Sequence, residues 1–560
     1  MIKTCIIDGY IDEPTCLGVP PYISPYPRYI TGAILENDPK NIVDYFTIDQ
    51  IRNKNEILNK LESYNIVIAI AGTSVPGRYL SGYPASPREI ESIFSNLIHP
   101  KKILCGPAAK YGFSTGGGKK PIEIERVFNY VVKGDPEIFI YNFLDGKIDE
   151  RINRKNSRSI YNYAKNGAGI VKKHPFYPDY LICEIETYRG CTRSIVGGCS
   201  FCSEPEKGIP DFRPIDDIVS EIKNLYNNGI RSFRLGNQPC FFSYMAKKAG
   251  KKEFPRPNPA AIEELLSKIR KAAPDIKTLH IDNANPGILA RYQDESEKIA
   301  KTIIKYHTPG DVAASGVESV DPEVISNNNL KANENYVMHA IKLLNKVGKK
   351  KGYNGMPELL PGLNFVFGLD GETKKTFDLN YNFLRKIVEK DLLVRRINLR
   401  QIIPIPNSKM EKIGNKLANK HKSYFKKFKR KVKLEIEQNL LEKMLPRKTI
   451  LKDIYTEKHD GKTTFGRQIG SYPLLVGIPG KLELNKFLDV KIVDYGYRSV
   501  TGIPHPLDIN NASIKTLSAI PGIGKKRAAK IILNRPFKEK KEIIKIFDDE
   551  KIKDEILKYL

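Results

Sequence analysis

The chain has 560 residues, room for several domains of the usual ~100–200 residues, and 41% of it is hydrophobic, which excludes a largely disordered polypeptide. Lys and Arg outnumber Asp and Glu by 92 to 64, a formal charge of +28, which suits a polyanionic partner, nucleic acid or membrane surface, about as well as a merely Lys-rich exterior. The eight cysteines are too thinly spread for a disulfide framework, with Cys5, Cys16, Cys105, Cys183 and Cys240 isolated, and no apolar run nears the ~20 residues of a spanning helix. The N-terminus reads as a strand, not a signal peptide, so the expectation is a soluble, cytoplasmic protein in a reducing compartment, with no membrane partner.

Residues 1–170 alternate strand-like and helix-like patterns. Strands are expected at 4–8, 65–71 and 102–105, and a helix at 87–96. The second strand, NIVIAIA, is apolar enough to be buried on both faces, which points to a small parallel α/β sheet. The loop 112–120 is glycine-rich but lacks the P-loop spacing, so it reads as a surface loop.

A longer β/α series covers 178–410. Strands are expected at 180–186, 232–235, 278–281, 312–317, 362–367 and 394–402, with helices at 215–227, 259–272, 334–347 and 373–389. Six β/α units suit a barrel or partial barrel, whose reactive groups sit at the carboxyl ends of the strands. Directly after the first strand, three cysteines fall within twelve residues: Cys191, Cys199 and Cys202, with Gly197 and Gly198 before the second. Three thiolates are one too few for a structural zinc site unless a distant group such as Cys183 completes it. They suffice for a [4Fe–4S] cluster with one iron left open to chemistry.

Residues 411–457 are Lys-rich and helical in pattern, with Tyr424, Phe425 and Phe428 among the basic residues. A linking helix with its aromatics turned inward is favoured over an arm along a phosphate backbone. Two small modules follow, at 458–500 and 505–560.

The central segment resembles the radical S-adenosylmethionine (radical SAM) superfamily. The cluster motif there is usually Cys-x3-Cys-x2-Cys; here the first gap holds seven residues, while Phe201 keeps the aromatic place before the last cysteine. Four further segments fall in the family's order. Gly236, Asn237 and Gln238 match the segment that contacts the methionine amino group. Ala314–Ser319, with Glu318 and Ser319, matches the one near the SAM ribose. Asn364 to Gly368 matches the one approaching the adenine, and Arg395–Arg400 would be the last strand. The resemblance implies a [4Fe–4S] cluster on Cys191, Cys199 and Cys202, S-adenosylmethionine on its open iron, one-electron cleavage to a 5′-deoxyadenosyl radical, and an electron donor such as ferredoxin or flavodoxin. Glu318 and Gln238 are the groups expected to orient SAM. The resemblance identifies no catalytic residue beyond the cluster.

The N-terminal segment resembles the Rossmann-like, B12-binding-type domain of some such enzymes at residues 18–27, 106–108 and 132–137. The Asp-x-His-x-x-Gly cobalt motif is absent, and the region's histidines, His99 and His174, lie in other contexts, so cobalamin is possible but unsupported. A degenerate domain shaping a substrate channel is the alternative. Residues 466–476 with 488–496 resemble a TRAM domain, a small β-barrel of tRNA methylthiotransferases. Residues 508–536 resemble a helix-hairpin-helix: Leu517, Ile520, Ile523, Ala528 and Ile531 give its apolar face, and Gly522 and Gly524 its hairpin. Lys525, Lys526 and Arg527 would meet a phosphate at the start of the second helix. The fold class expected is α/β, with a Rossmann-like domain, a partial (β/α)6 barrel, a small β-barrel and a helix-hairpin-helix. The function expected is a radical SAM enzyme acting on nucleic acid, RNA such as tRNA ahead of DNA, by methylthiolation, methylation or another C–H functionalisation. A protein or small-molecule substrate is the first alternative, and a non-enzymatic nucleic-acid-binding protein with a structural metal the second. For methylthiolation, Cys5, Cys16 and Cys105 could hold a second cluster by count alone.

Overall fold

The computed structural model describes residues 1–12, 17–73, 79–114 and 119–559; Cys16 and the consecutive glycines Gly116, Gly117 and Gly118 lie outside them. The N-terminal segment forms a five-stranded parallel sheet in the order Ile42–Thr47, Lys3–Asp8, Ile66–Ile70, Lys101–Cys105, Tyr130–Val131. The three expected strands are its centre. Ile66–Ile70 is buried throughout, as a doubly covered parallel strand must be. The first strand in sequence lies between the second and third, the topology whose switch point opens at the carboxyl edge.

The strand Ile42–Thr47 and the helix Pro25–Asn37 were not legible in the sequence. The helix is buried on most of its circumference, so its residues carry little amphipathic period. Gly32 in it has no room for a side chain: a Cβ there would stand 1.9 Å from the Tyr163 carbonyl oxygen.

All six expected strands of the central segment form. Ile182–Glu186, Ser232–Gly236 and Thr278–Ile281 make one parallel sheet; Asp311–Glu318, Leu359–Phe367 and Arg396–Gln401 make another. A single bridge, Ala284 to Ser315, joins them into an open, partial barrel. The sheet is extended on its outer side by Tyr22–Ile23, which pairs in parallel with the first barrel strand. Helices Ile215–Asn227, Pro259–Ala272, Glu334–Gly348 and Lys374–Glu389 cover the outside, each with one apolar face.

The basic segment is helical only to Met444. Phe425 and Phe428 turn inward, with ring centroids 5.2 and 5.0 Å from that of Phe367, as expected of a linking helix. The next module begins earlier than expected. Its first strand is Ile450–Asp460, which takes the end of the segment assigned to the linker, and the strands close into a five-stranded barrel ending at Ser499–His505. The high Lys content of 411–457 masked the alternation that marks this strand. The helix-hairpin-helix follows, with Leu517, Ile520, Ile523, Ala528 and Ile531 buried in one core as expected. Two further helices, Lys540–Lys545 and Glu550–Leu557, complete it. Among the described residues no helix is long and apolar enough to cross a membrane.

The loop after Gly470 plugs the lumen of the partial barrel. Tyr472 Oη donates to Asp282 Oδ1 (3.0 Å), Ser471 N–H to His280 Nδ1 (2.8 Å), and Tyr22 Oη to the Gly470 carbonyl (2.7 Å). The N-terminal segment is clamped to the barrel by a buried triad. Glu221 Oε2 lies 2.6 Å from Arg213 Nη1 and its other oxygen pairs with Arg28, all three side chains being inaccessible to solvent. Removing one member of such a set strands the others without solvation, at about 3–5 kcal/mol. Glu221→Ala is therefore expected to lower the denaturant midpoint markedly, while an exposed pair such as Lys268–Asp216 should tolerate loss with little change in it. Equal midpoints for the two variants would contradict this.

Candidate active site

The carboxyl edges of the two parallel systems face each other across one cavity of about 600 Å³. From the N-terminal sheet come Asp12, Thr73, Gly106 and Asp135; from the barrel come Glu186, Asn237, Ala314, Glu318, Asn364 and Arg400. All three cysteines of the motif line the same space.

Their loop is tightly specified. Cys191 opens a short 3-10 turn, Thr192–Val196, which ends in Gly197 and Gly198, with φ of 78° and 64°. A Cβ on Gly198 would lie 2.1 Å from Pro205 Cγ, so only glycine fits. The loop leans on the segment after the helix Pro322–Asn327. Asn329 Nδ2 donates to the carbonyls of Val196 (3.0 Å) and Gly198 (2.7 Å), and Ser200 Oγ donates to Asn328 Oδ1 (2.7 Å). The seven-residue gap thus forms a braced turn, not a loose insertion.

Arg193 sits inside the turn. Its backbone N–H points at Cys191 Sγ (3.4 Å), Nη1 at Cys199 Sγ (3.0 Å) and Nε at Glu253 (2.8 Å). Burial pushes the Cys191 thiol up to about 11, with Cys199 and Glu204 adding to it against the Arg193 N–H. Burial drives Cys202 further up, again reinforced by Cys199 and Glu204. Thiols so placed become thiolates only when a cation takes their charge. Among the described residues no group of three His, Cys, Asp or Glu side chains is drawn together as ligands of one metal ion. The three thiols share one cavity wall instead, and a [4Fe–4S] cluster fits that arrangement because each thiolate holds a different iron.

The other expected site residues divide. Phe201, Asn237, Glu318 and Asn364 line the cavity. Glu318 takes a φ of 64°, an unusual backbone for a carboxylate residue, and stands 3.5 Å from Lys331 Nζ. Burial raises the Glu318 pKa against Lys331; the Lys331 ammonium, disfavoured by burial, is held above its ordinary value first by Glu318 and then by Cys199 and Cys202. Gln238 does not reach the cavity. It is fully buried, and its Nε2 turns back to the Leu235 carbonyl (3.0 Å), while its own carbonyl receives Asn283 Nδ2 (2.9 Å). The hydroxyl of Ser319 receives the Asp321 N–H (3.1 Å) and lies 3.4 Å from Asn380 Oδ1, so it shapes the turn. Gly236 and Gly368 are likewise supports: a Cβ on Gly236 would meet Glu184 at 1.9 Å, and the Gly368 N–H donates to Glu372 (2.6 Å). Sequence reasoning missed Lys331 and Asn329, which sit in a loop with no motif, and Arg193, which stood within the cysteine segment.

The opposite wall is a buried charge network. Arg154 pairs with Glu186, Arg189 Nη1 lies 2.6 Å from Asp135, and Asn237 Nδ2 donates to Glu186 (2.9 Å). Glu137 beside them is pushed up to about 7, by burial and then by Asp135. Neither N-terminal histidine lines this cavity. His99 is exposed ahead of the strand Lys101–Cys105, and His174 is buried, its pKa pushed down to about 3 by that burial. A cobalt ligated by one of those imidazoles does not fit. The second cluster does not fit either: Cys5 and Cys105 belong to hydrophobic cores on opposite faces of the sheet, and Cys16 lies outside the described residues.

A model of the Radical SAM superfamily matches residues 185–384, and one of a SAM-like Helix-hairpin-helix tandem matches residues 488–534. An uncharacterized protein of Methanocaldococcus jannaschii is 48% identical over 509 residues, covering 89% of this chain and 93% of its own length. One of Archaeoglobus fulgidus is 41% identical over 536 residues, covering 96% of each. In fold the chain is similar to the radical S-adenosylmethionine methyltransferase TsrM of Kitasatospora setae, solved with tryptophan and a SAM analogue, with a TM-score of 0.50 at 15% identity over 73% of this chain and 75% of that one. The chain belongs to the radical SAM superfamily, whose enzymes use a [4Fe–4S] cluster and S-adenosylmethionine.

Two outcomes are expected at the thiol wall. Cys191→Ser, Cys199→Ser and Cys202→Ser should each lose most reconstituted iron, whereas Cys183→Ser, behind the wall, should keep it; iron and sulfide analysis decides. Hydrogen bonds to cluster sulfurs raise reduction potential. Arg193→Met should therefore shift the cluster's midpoint negative in an EPR-monitored titration, and an unshifted midpoint would show that Arg193 only packs.

Proposed function

We propose that this radical SAM enzyme modifies a nucleic acid, RNA such as tRNA ahead of DNA, by methylation or another C–H functionalisation. The observation that carries the reading is the exposed basic start of one helix. Gly522, at φ 83°, makes the hairpin, and Lys525, Lys526 and Arg527 lie exposed at the head of the helix Lys525–Leu533. The free N–H groups of that helix start, with three cations beside them, suit a phosphate without base readout. A net charge of +28 supports the same partner.

On this reading residues 1–170 and 178–410 enclose the reaction, the helical segment ending at Met444 links, and the TRAM-like barrel that begins at Ile450, with the helix-hairpin-helix after it, holds the polymer. Cys191, Cys199 and Cys202 would hold the cluster, which would supply the one electron that divides S-adenosylmethionine into methionine and a 5′-deoxyadenosyl radical. The chain's own residues position and shield. Lys331 beside Glu318 offers a cation for the methionine carboxylate and an acceptor for ribose hydroxyls. Asn237 and Asn364 offer hydrogen bonds, and Phe201 covers the cluster side. The electron comes from a ferredoxin- or flavodoxin-class donor.

The test is anisotropy with tRNA and with duplex DNA over a salt series. Lys525→Ala with Lys526→Ala and Arg527→Ala should weaken binding by about tenfold or more and flatten the salt slope by about 2–3, roughly one unit for each phosphate no longer neutralised. Unchanged affinity and slope would remove the nucleic-acid reading and leave a protein or small-molecule substrate.

A further inference from the structure

The last barrel strand, Arg396–Gln401, alternates between two environments. Ile397 and Leu399 join the outer hydrophobic core. Arg400 points the other way and lines the cavity. Arg396, four residues earlier on that same side, places its guanidinium 4.3 Å from the centroid of the Tyr472 ring, the plug of the lumen. Three nearby arginines have carboxylates: Arg234 has Glu184 and Asp282, Arg154 has Glu186, Arg193 has Glu253. Among the described residues Arg396 and Arg400 have none. Asp12 lies within the field of both and Glu318 within that of Arg400, but the Asp12 carboxylate already receives the Tyr79 hydroxyl and Glu318 is paired with Lys331. Burial and the neighbouring Arg400 both work against the Arg396 charge, which its stacking on Tyr472 only partly offsets.

Two guanidinia in a partly desolvated lumen with no carboxylate paired to either, Glu318 being taken by Lys331, leave positive charge uncompensated, a costly state that an anion relieves. The guanidinium fork suits a carboxylate or phosphate held by two parallel N–H bonds. We propose that Arg400, on the wall of the reaction cavity, and Arg396, on the same face of the strand against the Tyr472 plug, form an oxyanion subsite at the inner end of that cavity, reading a phosphate or carboxylate on the substrate. This rests on the cavity's being the reaction chamber, not on the hairpin's binding nucleic acid. The subsite also gives the C-terminal module a place in the chamber, since Tyr472 is the surface on which Arg396 lies.

The experiment uses the full chain, anaerobically reconstituted, with inorganic phosphate and acetate as separate probes and the thermal midpoint as readout. Wild type should gain stability with at least one probe. Arg400→Gln and Arg396→Gln should each weaken that probe's apparent Kd by about tenfold, the effect of removing one charged hydrogen bond, and the double variant should abolish the shift. A shift with phosphate alone assigns a phosphoester, with acetate alone a carboxylate. The Lys525, Lys526 and Arg527 triple variant should keep the shift, separating failure here from failure of the nucleic-acid reading. A full shift in the double variant overturns the proposal. So does a parallel fall in its affinity for S-adenosylmethionine, because the anion would then be that ligand's own carboxylate. Arg396→Lys and Arg400→Lys guard against a glutamine that disturbs the plug: charge without the fork should retain part of the shift, and none retained by a variant that melts like wild type also overturns it.

Discussion

Everything at the site depends on two sheets meeting edge to edge through buried ion pairs. Arg154 of the N-terminal segment holds Glu186 at the end of the first barrel strand, Asp135 holds Arg189 just beyond it, and Arg28 reaches Glu221 on a barrel helix. Such pairs add little net stability over apolar packing of the same volume, because desolvation cancels most of the Coulombic gain. Their effect is on position: any sliding of one sheet past the other would leave half a pair buried and unsolvated. The pairing of Tyr22–Ile23 with the first barrel strand adds a backbone register to the same constraint. The result is one enclosed space where a single mobile domain on a linker would have left an open cleft.

The barrel strands were legible because apolar or alternating runs lie between helix patterns, and the cysteine trio because its spacing carries chemistry. Segments buried on most sides were not. The helix Pro25–Asn37 lacks amphipathic period because almost nothing on it meets water, and the strand Ile450–Asp460 was hidden by lysines that point outward. The site was half legible. Motif matching placed Asn237, Glu318 and Asn364 in the cavity but also put Gln238 there, whose side chain folds back on its own strand end. Lys331 and Asn329 carry no motif, and Arg400 stood in a matched strand without a role of its own; proximity in space, not along the chain, gives them their roles.

The C-terminal β-barrel is more than an appendage. Tyr472 closes the lumen by donating to Asp282, and that carboxylate is shared with Arg234, which also holds Glu184. Glu184 is pushed up to about 7 by burial, against Arg234. The floor of the barrel is thus a polar network whose last member comes from another module. A fold whose six strands cannot close on themselves gains a wall from downstream sequence, and any partner bound by that module sits within one loop of the reaction space.

The thiol loop follows the same logic on a smaller scale. Burial, with Cys199 and Glu204 adding to it, pushes the Cys191 and Cys202 thiols up, while Arg193, Asn328 and Asn329 brace the turn. Part of the backbone entropy of ordering the loop is therefore offset by bonds within the protein. The longer gap between the first two cysteines becomes intelligible on this account. The extra residues supply the 3-10 turn that brings Arg193 against Cys199, so the chain provides its own hydrogen bond to a thiol of the motif.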